Sequence, residues 1–254
     1  MEPNLATEGN SPRRFNTTRW SVILAAGNGS EGTTRTALAE LCRLYWRPIF
    51  AFICRRGHST TDAQDLTQDF FMKVLEGDLL RRADPGRGRF RSLLLKSLQD
   101  FLIDAHEKRS AKKRGGDLEF VSWNDRMAEA PSHLKLSQNT LASASPERLF
   151  DIRWAATVVE QAKARLREEC AAGGRRRVFD ALSDYLASER EDVSYAKLAA
   201  NLGVAEDGVR RFLHQLRVRY RVLLREEVAR TVETDADIED EIRYLCAALA
   251  MGSR

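Results

Sequence analysis

The spacing of apolar residues is the feature that most limits how this chain can fold. Phe90, Leu93, Leu94, Leu98, Phe101, Leu102 and Ala105 recur every three or four positions and so line one face of a helix. Ala63, Leu66, Phe70 and Val74 repeat in the same way, with Asp62, Asp65, Asp69 and Glu76 on other faces. Leu38, Leu41, Leu44 and Tyr45 open a further helix, which Pro48 is expected to kink or restart before Phe50 to Ile53. Fifteen glycines and six prolines in 254 residues are too few for a turn-rich β architecture, and 43% hydrophobic residues suffice to build cores. The expected fold is all-α.

That length accommodates two ordinary domains. Residues 1–17 read as a loose arm and 18–116 as a first helical domain, with a turn at Asp84-Pro85-Gly86-Arg87-Gly88. Over residues 117–146 the periodicity fades and Ser, Asn, Pro131 and Pro146 accumulate, as in a flexible linker. Such a tether averages roughly 30 Å end to end and stretches to about 100 Å. Residues 147–230 form a second helical domain, and 231–254 an acidic tail in which Ile238, Tyr244, Leu245 and Leu249 allow a short docked helix.

Several function classes fall away. Gly27-Asn28-Gly29-Ser30-Glu31-Gly32 matches GxGxxG after a strand-like Ser21 to Leu24, but helices follow where a dinucleotide fold needs a second strand. His58, His106, His133 and His214 are scattered, none in a catalytic motif, so no enzyme is expected and no cofactor. Cys42, Cys54, Cys170 and Cys246 read as small buried hydrophobes in a reducing compartment. Cys54 and His58 lack a second ligand pair, so no metal is expected either. No apolar run is long enough to span a membrane, and no signal peptide is visible, which makes the cytoplasm the expected location.

Charge is unevenly distributed. Residues 81–116 carry 11 Lys/Arg against 4 Asp/Glu, and Arg210 to Arg225 holds six arginines and no acid. Asp62 to Asp78 has five acids and one lysine, and Glu233 to Glu241 six acids and no base. Two basic blocks point to two polyanion contacts, and the acidic blocks to a protein contact. The acidic tail, opposite in sign to Arg210–Arg225, is expected to cover that face in the free chain.

The C-terminal block has a helix-turn-helix pattern. Ser194 is placed to cap Tyr195 to Leu202, Gly203 to end it, and Glu206 to Tyr220 to form a longer second helix. Leu198, Leu202, Val204, Val209 and Phe212 fall where the two helices bury contacts, and Ala199 is small where they cross. Arg210, Arg211, His214, Arg217 and Arg221 lie on the outer face, suited to a major groove.

Taken together, these motifs resemble RNA polymerase sigma factors of the extracytoplasmic-function type, over about Thr18 to Arg230. Tyr45-Trp46-Arg47-Pro48-Ile49-Phe50-Ala51-Phe52 is similar to the opening helix of the promoter-melting domain, and Asp62 to Leu75 to its polymerase-binding helix. The resemblance implies polymerase contacts at Asp62, Asp65, Gln68, Asp69 and Lys73. It implies melting and −10 contacts at Arg89, Arg91, Lys96, Gln99, Asp100, Asp104, Lys108, Arg109, Lys112, Lys113 and Arg114. Contacts to the −35 element are implied at Lys197, Glu206, Asp207, Arg210, Arg211, His214, Arg217 and Arg221. The implied partners are core RNA polymerase, promoter DNA and an anti-sigma protein, with a monomer when free. Promoter elements about one and a half to two turns apart are separated by roughly 55–70 Å, within reach of a partly extended tether. The alternative is a conventional helix-turn-helix regulator that binds operator DNA without polymerase.

Overall fold

Helices are the only extended regular elements among the described residues, in keeping with the apolar periodicity. The computed structural model describes residues 31–76, 79, 89–112, 136–187, 193–232 and 234–252, without the side chains of 31–38, 75 and 108–112. The arm at 1–17, the strand-like Ser21–Leu24, the turn Asp84–Gly88, Lys113, Arg114, His133 and most of the expected linker lie outside these residues. Of the GxGxxG segment only Glu31 and Gly32 are described, and they open a helix.

The first block contains α1 (Glu31–Arg55), α2 (Thr60–Glu76) and α3 (Phe90–Lys112). The helix does not restart at Pro48: α1 runs through that residue, which is buried along with Ile49, Phe50, Phe52 and Ile53. Proline removes one hydrogen bond from a helix, and burial of these apolar neighbours offsets that loss. Helix α2 starts where Ser59 Oγ accepts from the Asp62 backbone N–H (3.1 Å) and donates to the Asp62 carboxylate (3.0 Å). Its predicted inner face, Ala63, Leu66, Phe70 and Val74, is buried. Phe71 stacks on Trp46 of α1, and Phe70 leans on Phe101 of α3.

The second block begins earlier than the expected boundary. Helix α4 (Gln138–Ser143) lies within the expected linker, and its Leu141 packs with Ala51, Ala144, Leu149 and Ile152. Arg55 ties it to α1 by donating to the Ala144 carbonyl (2.9 Å) and the Ala142 carbonyl. The end of the expected linker is therefore packed structure. Helix α5 (Pro146–Ala172) follows, with Ser145 Oγ accepting from the Arg148 N–H and proline in its first turn. Next come α6 (Arg176–Leu182), a 3₁₀ turn at Ser183–Tyr185, α7 (Tyr195–Leu202), α8 (Glu206–Ala229) and α9 (Asp237–Gly252).

The two blocks share a core. Phe150, Trp154, Ala155 and Val158 of α5 join Val228, Val232, Ile238, Leu245 and Ala248 in one cluster with the apolar residues of α1, α2 and α3. Tyr45 of α1 meets both Phe90 (5.7 Å between centroids) and Phe150 (6.4 Å). Arg47 pairs with Glu160 at 2.5 Å, and Gln161 donates to the Arg43 carbonyl. Farther along α5, Ala162, Leu166 and Cys170 belong to a second cluster with α6, α7 and α8. Helix α5 thus serves both cores, changing partners between Val158 and Ala162. The reason lies in its first half, where eight of nine consecutive residues from Phe150 to Val158 are buried. A helix covered on nearly every side belongs inside a core, and a chain whose blocks were merely tethered would leave that surface wet.

Between α7 and α8 the chain turns sharply. Gly203 has φ 70° and ψ 34°, and its N–H donates to the Ala199 carbonyl (2.9 Å). Ser194 makes no side-chain cap, and Val204 is exposed, unlike the expected anchor; Leu198, Ala199 and Val209 are buried as predicted. The two glycines here should respond oppositely to alanine. At Gly203 a Cβ meets nothing within 4 Å, so the left-handed backbone alone sets the penalty, about 1 kcal/mol. At Gly208, inside α8, a Cβ meets only Val204 at 3.8 Å, and alanine should stabilise by about 0.5–1 kcal/mol. Urea unfolding of the two single variants checks both signs.

Candidate nucleic-acid and polymerase interfaces

On α2 the polar face stands clear. Asp65, Gln68, Asp69, Met72, Lys73 and Glu76 are exposed opposite the buried stripe. Asp62 is half-buried and occupied in capping the helix, which removes it from the outer face. Lys73 reaches α3, pairing with Asp104 at 3.0 Å and lying over Phe101. One predicted polymerase contact and one predicted −10 contact are thereby joined.

Among the described side chains, the basic residues at the start of α3 do not form one outer face. Arg91 is 6% exposed, against the expectation of a surface cation, because it shares the face of Leu94 and Leu98 that enters the core. Its guanidinium stacks on Tyr244 (4.0 Å) and Trp154 (5.0 Å), and its Nε lies 3.3 Å from Glu241. Arg89, half-buried, pairs with the same carboxylate at 2.9 Å and lies over the same tyrosine. Gln99 donates to Glu147 of α5, and Asp100 is paired with Lys96 on its own helix. Lys108, Arg109 and Lys112 fall in the helical span beyond the described side chains.

Glu241 is 1% exposed. Burial pushes its carboxyl above the usual carboxylate range, against the pull of Arg91 and Arg89. Such a cluster adds little net stability while intact, but losing one member strands a buried charge. Asp151 completes it, accepting from the Tyr244 hydroxyl. Burial first, and that hydrogen bond second, push the Tyr244 phenol from 10 up to about 12. Between those pH values the unfolded phenol loses its proton while the folded one keeps it, so stability falls as pH rises through the window. Tyr220 is also raised to about 12, mainly by burial. Tyr244→Phe should therefore remove part of the alkaline loss, read as helical circular dichroism during thermal melts at graded pH.

The outer side of α8 keeps Arg210, Arg211, His214 and Arg221 exposed, with Lys197 exposed on α7. Arg210 lies over Tyr195 (4.1 Å) and pairs with Glu206 at 3.6 Å; Glu206 and Asp207 are exposed in the first turn. Arg217 departs from the predicted set, donating twice to the Tyr185 carbonyl (2.8 and 3.2 Å) as a brace between α8 and the 3₁₀ turn. The acidic tail leaves this face open: it becomes α9, which touches the basic run through Arg225 and Glu239 and sends Glu241 to Arg89 and Arg91 instead.

Trp154, Tyr244, Asp151 and Glu241 were not singled out as functional from the sequence. One signal was available. Glu241 stands between Ile238 and Leu245 on the apolar face of α9, and Arg91 lies on that of α3, two opposite charges each inside a stripe bound for the core.

Among the described residues no cluster of His, Cys, Asp and Glu is arranged to hold a metal ion, and no helix is long and apolar enough to cross a membrane. Comparison with protein-family models, curated proteins and solved structures returned no match.

Proposed function

We propose that this protein is a promoter-specificity subunit of the sigma type, which binds core RNA polymerase and directs initiation without catalysing a reaction itself. The observation that carries the reading is the pairing of two exposed faces of different chemistry on one helical body. The acidic and polar face of α2, Asp65, Gln68 and Asp69, suits a positively charged partner surface. The cationic face of α8, Arg211, His214 and Arg221, follows the tight Gly203 turn as the second helix of a helix-turn-helix and suits the −35 major groove. Helix α3, with Arg91 and Lys96 and with Arg89 just before it, is the candidate for the −10 region and the displaced strand. Bridging two promoter elements requires the blocks to separate, so the shared core describes the unbound chain.

The test is initiation on genomic promoter fragments by core polymerase with and without the protein. Transcripts from defined start sites only in its presence support the reading. Failure to bind core, together with tight binding of the isolated protein to duplex operators, would favour a conventional regulator.

A further inference from the structure

We infer that α9 is an intramolecular latch: its Glu241 occupies Arg89 and Arg91, and its apolar face holds the two blocks together, so the start of α3 takes a DNA strand only once α9 is released. The inference rests on the assignment of α3 to nucleic acid made above, and it adds a means of control.

Three observations converge. First, Glu241 is the buried counterion of two arginines from a distant segment: a phosphate could reach the buried Arg91 only by displacing it, and at the half-buried Arg89 would have to compete with it. Second, the latch is fastened at both ends and in the middle. Glu239 pairs with Arg225 near its start, Tyr244 donates to Asp151 at its centre, and at its close Ser137 N–H donates to the Gly252 carbonyl at 2.7 Å. Third, Ile238, Leu245 and Ala248 of α9 enter the cluster built from both blocks. The helix thus touches both blocks and occupies the two arginines at the start of α3 at the same time.

Gly252 offers a release that hardly alters charge. A Cβ at this position would lie 3.0 Å from Ile152 Cγ2 and 3.2 Å from Leu136 Cδ2, so a large side chain there must lift the end of α9. Glu241→Gln removes the counterion while keeping the shape. Both full-length variants are compared with the unmodified chain for affinity to a fluorescent single-stranded oligonucleotide at low salt, without polymerase. Native-state amide exchange follows α9 and α5 in parallel. A latch held mostly closed lowers apparent affinity by the fraction open, so both Glu241→Gln and Gly252→Trp should bind roughly tenfold tighter or more. In the unmodified chain α9 should exchange faster than α5. Exchange of α9 as slow as that of α5 would overturn the latch, because α9 would then be an ordinary core element. Affinity within about twofold of the unmodified chain for both variants would overturn it as well. Neither readout involves polymerase, so failure to support transcription would count against the sigma reading and leave the latch to be judged on its own data.

Discussion

Replacing Asp65 and Asp69 with lysine together is expected to weaken binding to core polymerase by more than about 100-fold and to abolish promoter-specific transcripts. The two carboxylates stand four residues apart on α2 and are exposed. Under the proposed assignment, reversal at both positions would turn two attractive contacts with a basic partner surface into two repulsive ones, each costing on the order of kilocalories. The fold should not suffer. Both side chains are exposed and lie outside the buried stripe of Ala63, Leu66, Phe70 and Val74, and changes at such sites usually alter stability by less than about 0.5 kcal/mol. A loss of polymerase binding at unchanged melting temperature is therefore the diagnostic combination. Competition against labelled unmodified protein for core, beside a thermal melt, measures both, and unimpaired competition would remove α2 from the interface.

Trp154→Ala should destabilise the protein by about 3–5 kcal/mol, the largest effect expected of any single core truncation here. Trp154 is fully buried in α5, within the cluster common to both blocks, and carries the Arg91 guanidinium on its ring. Its removal leaves a cavity and deprives that cation of a π-face. Because the cluster is common property, the loss should reach both blocks in one cooperative transition. Urea titration followed by total helicity and by a probe on α2 should give coincident midpoints, both shifted. Separate transitions, with only one moved, would mean the blocks fold independently.

Much of the architecture was legible in the residues. The inner faces of α2 and α3 and the Gly203 turn follow from spacing and backbone chemistry, which are local properties. The relation of the blocks was not legible, since it depends on α5. Its run from Phe150 to Val158 signals burial without naming the partner that covers it. The end of the expected linker misled for a related reason. Its Ser and Pro residues read as loop, yet Ser137 and Ser145 accept hydrogen bonds at the starts of two helices, and Leu141 supplies the apolar contact that seats the first of them. On α3 the net charge was read correctly and its direction was not. Counting arginines says nothing of which face they occupy, and Arg91 falls on the inner one.

The double allegiance of α5 has a mechanical consequence. A helix of 27 residues is about 40 Å long, a shaft spanning both clusters that it joins. Seated in one core by its first half and in the other by its second, it converts rotation at either end into translation at the far end. A tilt of about 10° about one end sweeps the other through about 7 Å, more than one helical turn. A displacement at the first-core end of α5 would thereby be magnified at its second-core end, among the residues that pack on α6, α7 and α8.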